Sequence, residues 1–390
     1  MRWAKKMSLI IFLLTQSITL SGCWDNIEVR QLGVVMGIGL DYEEGDEPIQ
    51  LTLQIVSPSG KQSEEGQSGG NKKYETFTVR GQTVFDAYQN MQKTSPKRTV
   101  LPHSKLVVIG KKLAERGLTE VSDFLVRERE VRPTSWLIVS DTTAREILDS
   151  ELGTGSIPSA GLVTMQENFA MSSTSNPINL IEFFMRMQGD AKSAVTPIIK
   201  KSGEHIQFEK SALFRRDRMI GTLSLNETRG LMWLENEVKS GNITLPFQNE
   251  GVELQKNVSV EISEGHTRIT PHFNGQDEIT MDIRCKGWAQ IRDAEMANKM
   301  LFTSQQIERL EAAVETQLEE RIQHTIDIAQ QKYKTDFLGF NNKFHNQYPQ
   351  TWKTISKDWD EIFPSIRTNL AVDIEIVRQG IIKNPPVSED

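Results

Sequence analysis

Ile279-Thr280-Met281-Asp282-Ile283-Arg284-Cys285-Lys286 alternates apolar and polar side chains, and further along Ile307, Leu310, Val314, Leu318, Ile322, Ile326, Ala329 and Tyr333 recur at steps of three and four. The first period is that of an antiparallel strand with one buried face. The second is that of an amphipathic helix laid on a sheet by one stripe. Ser304 supplies a cap, and the intervening Glu, Gln and Arg face water. Around this pair the chain reads as sheet: strands at 243–247, 258–262 and 268–273, and a hairpin of 206–214 and 219–224 around Arg215-Arg216-Asp217-Arg218. A helix spans 228–234 behind Asn226, and Gly339 is the natural stop of the long helix. Trp352, Ile355, Trp359 and Phe363 share one helical face as core, and 370–377 is a closing strand before the tail 381–390.

The first half has a different rhythm. Residues 32–40 are apolar on both faces, a buried strand ended by Asp41, with glycines that serve backbone packing rather than a dinucleotide loop. Half-buried strands at 49–56 and 74–79 flank the Gly- and Ser-rich stretch 57–73, a flexible loop. Helices at 83–93, 118–127 (capped by Thr119) and 142–148 (capped by Asp141 or Thr142) then alternate with strands at 106–109 and 136–139. Residues 150–175 are turn-rich and less regular, and 178–187 form a helix. Thr196-Pro197 and Lys200-Lys201-Ser202-Gly203 mark a boundary. The fold class is α+β: a multi-domain protein with a mixed α/β N-terminal domain (23–200) and a C-terminal domain (204–380) of antiparallel sheet packed with one long amphipathic helix.

The start of the chain has its own logic. Arg2, Lys5 and Lys6 precede an uncharged, mostly apolar run, too short for the roughly 20 residues of a membrane span. Residues 1–22 read as a signal peptide. Leu20-Ser21-Gly22-Cys23 resembles the lipobox of bacterial lipoproteins, which implies lipid attachment at Cys23 (an N-palmitoyl and S-diacylglycerol cysteine). Two or three acyl chains hold a protein on a membrane where one is marginal.

Composition narrows the function. The net charge is −7, and removing the three basic residues of the signal takes the body to −10. An acidic body is unsuited to nucleic acid or to attraction by anionic lipid. With Cys23 acylated, Cys285 is the only remaining thiol, and its place on the apolar side of its strand makes it a small buried hydrophobe. The sequence carries no phosphate loop, Cys-x-x-Cys, His-Glu-x-x-His or Gly-x-Ser-x-Gly. His266 and His272 read as surface or packing residues, and Asp277-Glu278 and Asp360-Glu361 are adjacent rather than set apart for acid/base work. The mixed-charge runs 127–132 and 215–218 are solvated faces, with partner docking the sharper alternative. No catalytic, cofactor or metal residues are expected.

Four segments carry a joint pattern. Cys23-Trp24-Asp25 is followed by Glu28 and Gly37-Ile38-Gly39-Leu40-Asp41, and then by His103-Ser104-Lys105 running to Gly110. Asn226-Glu227-Thr228-Arg229-Gly230-Leu231 with Trp233-Leu234 and Val238 to Gly241 comes next. Asp336-Phe337-Leu338-Gly339-Phe340, Pro349, Trp352-Lys353 and Trp359-Asp360 complete the set in order. Taken together they resemble the Ger(x)C spore germination lipoproteins. The resemblance implies a non-enzymatic C subunit of a nutrient germinant receptor, held through Cys23 on the outer face of the spore inner membrane beside A-type and B-type integral membrane subunits. A solute-binding lipoprotein feeding a transporter is the rival expectation, and a wall hydrolase is disfavoured by the missing motifs.

Overall fold

The computed structural model describes residues 3, 7, 31–56, 74–150, 157–190, 192–203, 205–247, 256–275, 278–294 and 302–378. Cys23, Asp277, the stretch 57–73 and the tail lie outside them.

The first sheet is built in chain order from β1 (Leu32–Tyr42), β2 (Ile49–Val56), β3 (Tyr74–Gly81), β4 (Arg98–Val100), β5 (Leu106–Gly110), β6 (Trp136–Ser140), β7 (Ile178–Asn179), β8 (Ser193–Ser202), β9 (His205–Arg215) and β10 (Arg218–Ser224). Its spatial order is β10-β9-β8-β6-β5-β1-β2-β3, with β4 beside β1 and β7 beside β6. The middle strands β1, β5, β6 and β8 run parallel, while β2–β3 and β9–β10 extend the two sides antiparallel. Parallel strands need cover on both faces, and β5 shows it residue by residue. Val107 and Ile109 enter the core under α1 (Val84–Thr94), α2 (Lys111–Arg116), α3 (Thr119–Arg127) and α6 (Leu180–Gln188). Leu106 and Val108 enter the opposite core, under α4 (Ala144–Leu148) and α5 (Pro158–Met171).

Gly37 and Gly39 admit that second helical layer. A Cβ on Gly37 would lie 2.8 Å from the Ser159 Cβ, and one on Gly39 would lie 2.9 Å from the Leu148 Cδ1. Asp41, expected only to end its strand, is buried and accepts the amides of Ala144 (2.7 Å) and Arg145 (3.0 Å). It therefore neutralises the exposed N–H end of α4 from another strand.

Local capping corrects several expectations. Thr143, not Asp141 or Thr142, caps α4 through the Glu146 amide at 3.2 Å. Thr119 caps nothing; its hydroxyl donates to the Asp217 carboxylate at 2.6 Å. The segment 150–175, read as irregular, contains α5, whose apolar stripe is blurred because polar Ser159 and Gln166 lie on its buried face and Met171 is exposed. Lys200 to Gly203 is not a break between sheets: Ser202 pairs with His205 in the β8–β9 hairpin, and the first sheet continues to Ser224.

After β10 come α7 (Leu225–Leu234), β11 (Gly241–Phe247), β12 (Lys256–Phe273), β13 (Ile279–Ala294) and α8 (Ser304–Asp327). One π-helical turn, Ile328–Tyr333, extends α8, and then α9 (Phe340–Gln347), α10 (Pro349–Ile355), α11 (Trp359–Ile362) and β14 (Arg367–Arg378) complete the chain. The second sheet has the order β11-β12-β13-β14. It is antiparallel through β13, but β14 joins parallel, because the long connection through α8 returns the chain to the same end of the sheet. The strands expected at 258–262 and 268–273 are one, β12. Leu310, Val314, Leu318, Ile322 and Ile326 of α8 are buried in the expected stripe.

Thr303 replaces Ser304 as the α8 cap, in a capping box with Gln306, and Ser224 with Glu227 replaces Asn226 at α7. Lys334 in the left-handed region (φ 48°) ends the long helix, and Gly339 (φ 78°) starts the next instead of stopping this one.

The two sheets share a core. Val195, Leu213 and Leu223 of the first pack in one cluster with α7, α8 and the inner face of the second. The Tyr333 hydroxyl donates to the Thr222 carbonyl (2.8 Å) and accepts its amide (3.2 Å), closing the β10 edge.

Candidate functional site

A cleft of about 550 Å³ lies where α6 and the start of β8 face the end of α7 and the 336–346 segment. Each wall is set by a local rule. On one side Asn179 caps α6 by accepting the Glu182 amide at 2.9 Å, which aims Glu182 and Arg186, one turn apart, at the opposite wall. On the other, Asp336 accepts the amides of Phe340 (3.1 Å) and Asn341 (2.7 Å) and the Trp359 indole N–H (2.9 Å), fixing the start of α9.

Across the cleft the Arg186 guanidinium donates to Glu235 at 2.5 Å and to Glu182 at 3.0 Å, and Asn176 donates to Glu235 at 2.7 Å. Burial pushes the Glu235 carboxyl up and the Arg186 charge draws it back. Burial alone would lower the Arg186 pKa, but the two carboxylates more than reverse that and leave it raised. Burial likewise raises Asp336, against its three hydrogen-bond donors. Two further contacts cross between the sheets: Ser193 donates to the Asp336 carbonyl (2.8 Å), and Asp190 accepts the Trp352 indole N–H (3.0 Å). On the rim, Ile181 and Met185 stand 48 % and 67 % exposed on one face of α6.

In the cleft, Glu182, Glu235, Asp190 and Asp336 are each paired, capping or hydrogen-bonded to an indole. Among the described residues no group of three His, Cys, Asp or Glu side chains could hold a metal ion. The cleft thus combines paired charges with the exposed apolar rim of Ile181 and Met185.

The residues singled out in the sequence are dispersed. Cys285 is buried, takes a hydrogen bond from the Thr267 hydroxyl, and burial pushes its thiol up to about 11. His266 stands 3.1 Å from Glu264 at the edge of Trp288, and His272 3.0 Å from Asp282, both on the open face of the second sheet. The 215–218 run docks within the chain: Arg215 pairs with Asp360 (2.6 Å), and Asp217 receives Thr119. Arg127 pairs with Asp123 along its own helix. Trp352, Trp359 and Phe363 are buried in the shared core. Sequence reasoning missed Arg186 and Glu235, whose only signals are an ordinary i,i+4 pair on one helix and an acidic residue after another.

Residues 25–201 match the family model described as the spore germination protein N-terminal domain, and residues 209–380 that of the spore germination B3/GerAC-like C-terminal domain. Spore germination protein B3 of Bacillus subtilis (strain 168) is 24% identical over 98% of this chain and 100% of its own length. Spore germination protein KC of the same strain is 26% identical over 98% of each. The crystal structure of the GerBC protein superposes with a TM-score of 0.57 at 20% identity, covering 87% of this chain and 97% of that one, and shares its fold. No helix among the described residues is long and apolar enough to cross a membrane. Matched along both its halves, the chain belongs to the Ger(x)C family of spore germination proteins.

Proposed function

We propose that this chain acts in spore germination as the lipid-anchored, non-enzymatic C subunit of a nutrient germinant receptor. The observation that carries the reading is the match to germination proteins along both halves of the chain. The lipobox at Cys23 supplies the anchor, N-palmitoyl and S-diacylglycerol cysteine, and places the body on the outer face of the spore inner membrane. Its partners there are the A-type and B-type integral membrane subunits, and it works through protein contacts, without cofactor or nucleic acid. The inter-sheet cleft, with its paired charges and the exposed Ile181 and Met185, has the character of a contact surface.

Deletion of the gene in a strain with no other receptor, followed by a nutrient germination assay, tests the role: loss of the response is expected, and unchanged germination refutes it. Cys23→Ala tests the anchor, with the protein leaving the membrane fraction as the expected result. Thermal shift of the full chain against amino acids and sugars tests the solute-binding rival; tight binding by this chain alone would favour that rival over the receptor reading.

A further inference from the structure

Helices α7 and α8 touch at Gly230. A Cβ there would lie 2.1 Å from the Thr325 Oγ1 and 3.0 Å from the Arg321 carbonyl oxygen, so no side chain separates the two backbones. The crossing sets Arg229, next to that contact, against Arg321, one turn before Thr325. Both arginines line one small recess, together with the polar side chains of Ser173, Ser240 and Asn242 and the wall of Trp233.

Two like charges face each other there with no counterion among the described residues. The Arg229 Nε is buried with no hydrogen-bond partner. Neither guanidinium has a carboxylate partner among the described residues, whereas Arg186, comparably half-buried, has two. Burial lowers the pKa of both arginines, and for Arg321 the Arg229 charge lowers it further. Buried donors and buried charge are ordinarily satisfied. The arrangement suits an anion, with two guanidinium groups lining one recess.

The recess measures about 20 Å³, room for one water-sized group. It admits one oxygen of a planar carboxylate whose stem leaves through the mouth. Guanidinium groups are matched to that geometry, presenting parallel N–H donors to the two oxygens. We infer that the α7–α8 crossing forms a carboxylate-binding site, with Arg229 and Arg321 as its two donors. A free small carboxylate and an acidic side chain of a protein partner present the same group.

The test is thermal unfolding of the full chain in detergent, with sodium formate replacing sodium chloride at constant ionic strength. The wild-type melting temperature should rise with formate and saturate. Arg229→Gln should abolish the rise, and Arg321→Lys, which keeps the charge but loses the fork, should weaken the half-saturating concentration at least about tenfold (on the order of 1.4 kcal/mol). Without formate, Arg321→Gln should melt at or above the wild-type temperature, because it removes an unpaired charge facing a like one. No saturable formate effect, the same effect in Arg229→Gln, or a lower formate-free melting temperature for Arg321→Gln would overturn the site. Equal saturation by chloride would overturn its assignment to carboxylates.

The source is separated by crosslinking to membrane neighbours in intact spores. If Arg229→Gln removes a crosslinked species, the carboxylate belongs to a partner; if the crosslinks persist while the formate effect is lost, it is free. The titration stands whatever the chain's biological role, and only the crosslinking rests on the germination reading.

Discussion

At the scale of single residues, side chains whose surroundings are local were legible and those completed by distant segments were not. Cys285 could be placed on the buried face from the alternation of its own strand. Burial sets its thiol at about 11, so at pH 8 it is neutral and shielded. A thiol-specific chromogenic reagent should therefore leave Cys285 unmodified in the native protein and react with it fully in denaturant; fast native labelling would contradict the structure. Glu235 was invisible in sequence because its partner Arg186 lies 49 residues away on another element. Its consequence is a pH dependence. A folded carboxyl whose pKa is raised binds its proton more readily than in the unfolded chain. Its stabilising contribution is thus complete below the unfolded value and is lost as pH rises through the raised folded value. The stability of wild type relative to Glu235→Gln should fall as pH rises through that window, read as the difference in melting temperature across a pH series. A constant or rising difference would mean that Arg186 outweighs the burial of Glu235.

At the scale of elements, the period of α8 gave its buried stripe, because burial of one helical face is a property of consecutive residues. The role of its other side was not legible. Glu311, Glu315 and Glu319, taken from sequence as water-facing, accept the amides of Ile376 (2.7 Å), Ile374 (2.9 Å) and Val372 (3.4 Å) on β14. A four-residue helical step advances about 6 Å, and a two-residue strand step a little more. The match lets one row of carboxylates satisfy alternate donors along an outer strand that would otherwise offer them to another chain. Neither the parallel entry of β14 nor this pairing has a signature within either segment alone. Glu315→Ala should leave the Ile374 amide without its acceptor and destabilise the fold by about 1–3 kcal/mol, while Glu315→Gln, which keeps an acceptor oxygen, should lose less. Urea unfolding of the two variants checks the order, and equal losses would show that the charge of Glu315, rather than its acceptor oxygen, is what stabilises the strand.

At the scale of the whole molecule, the expected division at 200–204 followed a real change of texture, since helices alternate with strands before it and hairpins dominate after it. Strand pairing ignores that change. β9 and β10 complete the first sheet; one face packs on α2 and the first core through Ala212, Phe214 and Met219, while Leu213 and Leu223 on the other sit in the core shared with α7 and the second sheet. The family models also part within the β8–β9 hairpin, between residues 201 and 209, so the division they mark is one of sequence rather than of packing. A fragment ending at 203 would keep β8 but lose the strand that pairs its outer edge over ten residue pairs, exposing Val195 and Ile199 beside unpaired amides. The complementary fragment would keep the β9–β10 hairpin with nothing on the β8 side. Tyr333 would still bind its far edge, and the apolar faces of Ala212 and Phe214 would open to water. Hydrophobic burial supplies most of the stability of each half, roughly 25 cal/mol for each Å² removed from water. Both fragments should therefore aggregate or unfold without a cooperative transition when made separately. Co-expressed, they should associate through the β8–β9 pairing and recover one. Circular dichroism melts of each fragment and of the pair read this directly. A sharp melt from either fragment alone would show that the hairpin is dispensable and that the chain folds as two independent units.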